Sequence, residues 1–507
     1  MFIDAQTLAD QTIIESDLVI LGGGPAGITL ARELTQQNCQ VCLVEAGGLQ
    51  FDAKSQRLYE GESAGIDYPL ANSRLRFLGG SSNHWGGYCR PLSAIDFEQR
   101  DWVPYSGWPF GLEELLPYYE KASELVEVAP ARFEDSAYWQ ETSGEPLLDF
   151  ASQRLTAQYI QYSPPTHFGE RYQSDLAQQA NLRVLYNANV VNIDANTEGN
   201  TITHLSIRTL TGRKLKVKSK QFVLAAGGLE NARLLLLSDN VMPAGLGNQN
   251  DLVGRFFMEH PHLQGFCEIV IADLKRLPKL YYERITAGSR TGSAAFIPTD
   301  SFLRQRQLLN ATFQMGVAGK YQNNDPSSYT EAIKAESHLR MLQAAHHFLA
   351  DKDAKNPGLW LGVGGSCEQV PNPDSRVSLS AQRDELGLKK IRLDWRLSEQ
   401  DRRSVIEHIR SLALEFGALG IGRMVMNIED DGRWPEQVTG GNHHMGTTRM
   451  HNNPKNGVVD EDSKIHGIDN LYVAGSSVFP TSGTAHPTLT VVALALRLAD
   501  HLKKRLT

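Results

Sequence analysis

The sequence predicts an α/β fold class: a Rossmann-like dinucleotide-binding domain assembled from both ends of the chain, plus an α+β substrate domain on a large antiparallel sheet. Three observations carry this. An apolar run, Leu18 to Leu21, enters a glycine-rich turn, Gly22-Gly23-Gly24-Pro25-Ala26-Gly27, near the start. From about Phe266 to Ser398 the pattern changes to longer strands separated by polar turns. Near the end, Leu471 to Ala474 and Thr488 to Leu502 return to a strand followed by a helix.

Leu18 to Leu21 reads as a strand, Ile28 to Gln37 as a helix, and Val41 to Val44 as a second strand ending at Glu45. A lone G-x-G-x-x-G is weak, but here Gly22, Gly24 and Gly27 are framed by strand, helix, strand and an acidic residue. Glu45 lies about 20 residues beyond the turn, where a ribose hydroxyl partner belongs. Glycines let backbone approach a pyrophosphate, whose charge then meets a helix N-terminus. At this point FAD and NAD both remain open.

Segment 51–190 is rich in Tyr, Trp, Pro and Gly, with a helix over Leu112 to Val126. Arg183 to Val191 and Phe222 to Ala226 read as strands, the second followed by Gly227-Gly228 and a helix over Glu230 to Leu237. Strands are expected at Leu308 to Val317, Leu359 to Val363, Arg376 to Leu379 and Lys390 to Trp395, forming the floor of a substrate chamber. Asp401 to Phe416 is an amphipathic helix with Val405, Ile406, Ile409, Leu412 and Phe416 on one face. The expected organisation is 1–265 for the cofactor domain, with covering loops at 51–180, 266–430 for the substrate domain, and 431–507 for the returning part.

A chain of 507 residues at 41% hydrophobic can bury a large core. A formal charge of -8 argues against a nucleic-acid partner. No stretch approaches the ~18 apolar residues of a membrane span. Asp4, Asp10, Glu15 and Asp17 stand where a secretory signal would be basic and then apolar, so a cytoplasmic location is expected. Five cysteines do not make a disulfide framework. Cys39 and Cys42 form a C-x-x-C inside a strand, where that spacing sends side chains to opposite faces, so a redox pair is not expected.

Histidines mark the candidate chemistry. His443 opens His443-His444-Met445-Gly446-Thr447, and His486 stands in Ala485-His486-Pro487-Thr488. Removing hydride from an alcohol carbon is easy only if the hydroxyl proton leaves too, and a neutral imidazole with pKa near ~6.5 is the usual acceptor. His260 and His262, in Glu259-His260-Pro261-His262, read as structural, because nothing nearby supplies further metal ligands.

These stretches, with Arg76-Phe77-Leu78-Gly79-Gly80-Ser81-Ser82-Asn83-His84-Trp85, Leu224-Ala225-Ala226-Gly227, Pro371-Asn372-Pro373 and Asn470 to Gly475, resemble the glucose-methanol-choline (GMC) oxidoreductase family over nearly the whole chain. The Gly-Gly-Ser-Ser-Asn-His-Trp run is most similar to pyranose oxidases and bacterial sugar dehydrogenases. The resemblance implies a single tightly held FAD and oxidation of an alcohol to a carbonyl. It implies His443 and His486 as the catalytic pair and leaves open which is the base, with His444 facing away. It places Gly22, Gly24, Gly27, Glu45, Gly79, Gly80, Ser81, Asn83, His84, Trp85, Val190, Ala226, Gly475, Pro487 and Thr488 at the cofactor. His84 matches a histidine that some members bond covalently to the flavin and others do not. No metal is expected. The implied partners are a small alcohol or sugar and oxygen, a quinone or a redox protein as electron acceptor. A tetramer would suit the resemblance, but no sequence feature compels an oligomer.

Two other classes fit these residues less well. A flavoprotein acting as electron carrier or isomerase needs no paired imidazoles. A flavin monooxygenase would need a second glycine-rich nucleotide turn, and Gly362-Val363-Gly364-Gly365 precedes no helix. The identity of the alcohol is not written in the sequence.

Overall fold

The computed structural model describes all residues except 151, 263–264, 272–273, 318–358, 429–430, 436–437 and 507. Residues 318–358 belong to the expected substrate domain and lie outside the described residues.

A six-stranded parallel sheet organises the first part. Its order is Phe2–Asp4, Leu182–Tyr186, Val41–Val44, Leu18–Leu21, Gln221–Leu224 and Leu471–Val473. Leu18–Leu21 and Val41–Val44 are buried along their whole length. That suits parallel strands covered on both faces, which read as unbroken apolar runs. The helix after the glycine turn spans Pro25–Leu34, beginning earlier than the expected Ile28. Gly24 is its extended N-cap and Pro25 its first residue, where the missing N–H costs nothing. The final helix is Pro487–Leu506, packed against both Pro25–Leu34 and Leu112–Leu125.

The expected single strand Arg183 to Val191 is two. Leu182–Tyr186 stays in the parallel sheet, and Asn189–Ala195 pairs antiparallel with Ile202–Arg208 in a separate four-stranded sheet. Asn187, at φ 55°, turns the chain between them; asparagine tolerates this left-handed region better than most residues.

The second part is a ten-stranded sheet, with the main path Gly422–Met426, Cys267–Ile271, Leu359–Cys367, Ala311–Val317, Arg290–Pro298, Leu155–Tyr162 and Tyr88–Cys89. Its pairings along this path are antiparallel. Two of these strands, Leu155–Tyr162 and Tyr88–Cys89, come from the stretch expected to supply covering loops. Arg376–Arg383 and Lys389–Trp395 do not join this sheet as expected. They form a three-stranded sheet with Gly61–Gly65. Their buried side chains explain it: Val377, Ile391, Leu393 and Trp395 pack into the core of the parallel sheet, not into that of the large one.

The amphipathic helix is as expected but longer, Glu399–Ala418, opened by a capping box between Ser398 and Asp401. Val405, Ile406, Ile409, Leu412 and Phe416 are buried in the core of the large sheet. Cys42 sits in its strand and Cys39 just before it; burial pushes the Cys42 thiol up to about 12, and all five cysteines are free. A thiol so protonated is a small core hydrophobe.

Ile409 is fully buried on the helix face that covers the large sheet. Ile409→Ala is expected to lower stability by about 2–5 kcal/mol in chemical denaturation while leaving cofactor content unchanged.

Candidate active site

One cavity runs from the glycine turn to the histidines. Gly22, Gly24 and Glu45 form one end of its wall. Gly80, Ser81, His84 and Trp85 line one side, and Val190, Ala226, Gly475, Pro487 and Thr488 another. His443 and His486 close the far end. Of the expected cofactor residues, Gly27, Gly79 and Asn83 are not in this wall but hold it. A Cβ on Gly27 would stand 1.8 Å from the Gly22 carbonyl oxygen, so helix and turn approach too closely for any side chain. The Gly79 N–H donates to the Gly23 carbonyl at 2.7 Å, tying the two glycine-rich turns together. Asn83 Nδ2 donates to the Leu78 and Gly80 carbonyls, both at 3.0 Å.

Glu45 is buried, with Oε2 accepting from Gly23 N–H and Oε1 from Gly47 N–H, both at 2.8 Å. Each oxygen keeps a further lone pair for a ribose hydroxyl. A Cβ built on Gly24, Gly227 or Gly475 meets nothing within 4 Å. Bare backbone therefore borders open space at the start of Pro25–Leu34 and after the last strand. Three such backbones, a locked carboxylate and the N-termini of two long helices are the cradle a dinucleotide requires.

His84 is exposed to the cavity, yet enough protein surrounds its ring to lower its pKa by desolvation. Its neighbour Trp85 is pinned by a 3.0 Å bond from Nε1 to the Thr166 carbonyl. His444 is buried, with its ring edge-on to Tyr68 at 5.6 Å and tilted over Phe257 at 6.2 Å. Burial, with Arg74 nearby, pushes its pKa down to about 3.

The histidines assemble because two distant segments run side by side. Met258 pairs antiparallel with Met445, and Pro261–His262 with Thr439–Gly440. The Glu259 carboxylate stitches the crossing. Its Oε1 accepts from His443 N–H at 2.6 Å and from the Tyr68 hydroxyl. Its Oε2 accepts from His260 N–H at 3.0 Å and Gly441 N–H at 2.9 Å. Burial raises the Glu259 carboxyl to about 7 against the pull of these donors.

His443 Nδ1 lies 3.0 Å from His260 Nδ1, and the His443 and His486 rings are 4.4 Å apart. His486 stacks on Tyr88 at 3.9 Å. Ring nitrogens of His262, His443 and His486 gather within 4.8 Å of one another. The expectation that His260 and His262 are merely structural fails here. Both stand within the cluster, because the strand pairing brings them to residues 183 positions away in the chain. Desolvation is the first cause of the lowered pKa of every member, with the neighbouring imidazoles adding to it at His443 and His486. All four are neutral at physiological pH. A neutral pair at the end of a dinucleotide cavity can take a proton from one bound oxygen and donate a hydrogen bond to it.

Fold and cavity thus define a dinucleotide-dependent oxidoreductase, and comparison with known proteins identifies the dinucleotide as FAD. Residues 371–495 match the family described as GMC oxidoreductase, and residues 17–245 the one described as FAD dependent oxidoreductase. The chain is 25% identical to 2-methyl-1,2-propanediol dehydrogenase of Mycolicibacterium austroafricanum, over 98% of this chain and 96% of that one. It is 27% identical to the fructose dehydrogenase large subunit of Gluconobacter japonicus, over 96% and 97%. The fold is shared with pyridoxine 4-oxidase from Mesorbium loti, at a TM-score of 0.59, 20% identity and 96% and 98% coverage. The chain thus carries a GMC oxidoreductase match in its C-terminal part and is an FAD-dependent enzyme acting on CH–OH donors. Among the described residues no helix is long and apolar enough to cross a membrane.

Because a side chain at Gly24 would enter the cavity without striking protein, Gly24→Leu is expected to fold with unchanged circular dichroism yet purify without bound FAD. Gly27→Ala, by contrast, should lose soluble protein. An equally yellow Gly24→Leu protein would remove the glycine turn from the cofactor site.

Proposed function

We propose that the enzyme oxidises a hydroxyl of a sugar or glycoside to a carbonyl, with His443 and His486 meeting the reacting oxygen. The observation that carries this is the pair of neutral imidazoles 4.4 Å apart at the end of the dinucleotide cavity. When bound, FAD supplies the hydride acceptor. The chain's own residues do the rest. One imidazole takes the hydroxyl proton, and the other donates to the same oxygen and aims the carbinol carbon. His262 adds a third ring at the same place.

Beyond His486 and Tyr88 the large sheet carries a group of mutually hydrogen-bonded polar side chains. Gln314 Nε2 donates to the Tyr162 hydroxyl at 2.9 Å and to Ser293 Oγ at 3.0 Å. Tyr162 meets Tyr88 edge-on at 5.9 Å. A polar setting of this kind suits a polyhydroxylated substrate better than a sterol or an alkyl alcohol. The similarity to fructose dehydrogenase points the same way. The similarity to a propanediol dehydrogenase favours a second reading, a small non-sugar alcohol. Oxygen, a quinone or a redox protein completes the cycle, and a cytoplasmic location and the division into domains at about 265 and 430 remain part of this proposal.

Anaerobic mixing with a panel of sugars, glycosides, aminoglycosides, polyols and alkyl alcohols is expected to bleach the flavin only with carbohydrates. Readmitting oxygen or adding a quinone identifies the acceptor. His443→Ala should keep the flavin spectrum but slow bleaching roughly 100- to 10,000-fold; His486→Asn should be milder, since an amide still donates a hydrogen bond. Bleaching by alkyl alcohols alone would overturn the sugar assignment.

We also propose that His84 carries the flavin covalently, since it is a neutral imidazole open to the cavity. Acid precipitation should leave a yellow pellet, and His84→Ala should release FAD to the supernatant. Free FAD from the unaltered enzyme would make His84 a contact only.

A further inference from the structure

We propose that His260 is a positioning residue that fixes His443 in the tautomer bearing hydrogen on Nδ1, so that His443 Nε2 is the bare nitrogen that receives the substrate proton and His486 is the donor. The inference rests on the proposed reaction and decides which of its two imidazoles is the base.

His260 is fully buried, and each of its ring nitrogens faces one partner. Nε2 is 3.2 Å from the Ser482 carbonyl oxygen, and Nδ1 is 3.0 Å from His443 Nδ1. A carbonyl can only accept, so His260 Nε2 carries the hydrogen. A neutral imidazole has one ring N–H, so His260 Nδ1 is bare and accepts. The hydrogen between the two rings must then belong to His443 Nδ1. A neutral His443 that donates from Nδ1 has its lone pair on Nε2.

Neutrality of both rings follows from their surroundings. Burial lowers His260 to about 4 and His443 well below the ordinary histidine value. On His260 the charges of Arg90 and His262 reinforce burial, while the Ser482 carbonyl and Glu368 favour the charged form without outweighing it; on His443 burial is reinforced by His486, His260, His262 and His444. Glu259 faces the pair through backbone N–H groups, taking one from each residue, so it fixes the two rings' mutual position without bonding either ring.

The chain Ser482 C=O, His260, His443 is thus a relay of hydrogen-bond direction, set by a carbonyl that cannot reverse. It carries no proton along its length. In the proton transfer itself the substrate O–H bond breaks and an N–H bond forms at His443 Nε2. The resulting imidazolium keeps donating from Nδ1 to His260, which therefore stabilises the charge where it appears. His486 has no such constraint. Its ring lies flat on Tyr88, and among the described residues no hydrogen bond to its ring nitrogens is formed. It can turn an N–H toward the substrate oxygen.

Two variants and one spectroscopic measurement test this. His260→Leu fills the space but removes the acceptor, whereas His260→Asn can keep an amide oxygen near the position of Nδ1. In the holoenzyme, flavin reduction by substrate should fall ~100- to 10,000-fold in His260→Leu, the range a positioned base contributes. FAD content and substrate KM should change less than about threefold, and His260→Asn should stay within about tenfold of the parent. Long-range 1H–15N correlation spectra of 15N-histidine holoenzyme, with His443 assigned by its loss in His443→Ala, should show hydrogen on Nδ1. Finding it on Nε2 would overturn the proposal, as would undiminished reduction in His260→Leu. The spectrum of the unaltered enzyme decides even if His260→Leu fails to fold. If no alcohol bleaches the flavin while His443 carries hydrogen on Nδ1, the reaction assignment fails and the relay stands.

Discussion

The buried carboxylate of Glu259 is the interaction on which the active centre depends. It collects the Tyr68 hydroxyl and the backbone N–H groups of His260, Gly441 and His443. Hydrogen bonds to a charged group contribute about 1.5–3 kcal/mol each, enough for several to offset much of the cost of burying the charge. A carboxyl pushed up to about 7 shows how near that balance lies. What the group secures is geometry. It holds one segment from the middle of the chain against another near residue 440, and the imidazoles come with them.

The surroundings leave little freedom for a different arrangement. A Cβ on Gly441 would stand 2.6 Å from His262 Nε2 and 2.7 Å from the His443 ring. Only glycine lets the backbone pass between two imidazoles so close together. Tyr68 is held in turn by edge-on contacts with Phe257, Trp395 and His444. The three-stranded sheet that delivers Trp395 therefore supports the active centre from behind.

Much of this was legible in the sequence, and the division between legible and illegible is physical. The glycine turn, Glu45 and the flanking strands announce themselves because their interactions are local: Glu45 reaches back only to Gly23 and forward only to Gly47. His443 and His486 were found by their motifs and do stand together. His260 and His262 read as structural because nothing within their own segment reveals a function. Their meaning comes from pairing with a strand more than 170 residues away. The one available signal was the order acid, histidine, proline, histidine in an extended stretch, where alternate side chains share a face. The strands Arg376–Arg383 and Lys389–Trp395 were recognised as strands but assigned to the wrong sheet, since apolar alternation names a buried face and not the core that buries it.

The route of the chain through the parallel sheet also governs when the enzyme can acquire its cofactor. The sheet begins with residues 2–4 and 18–21, but its edge strand is Leu471–Val473, and the helix whose first turn lines the cavity is Pro487–Leu506. A ribosome delivers the glycine turn hundreds of residues before the backbone that faces it. During synthesis the nascent amino-terminal half therefore presents half a cradle, with Gly24 open and the opposite wall not yet made. Cofactor capture is in this sense a late event, coupled to closure of the sheet by its last strand. Until then the exposed apolar edge of Gln221–Leu224 is the surface most in need of shelter from other chains.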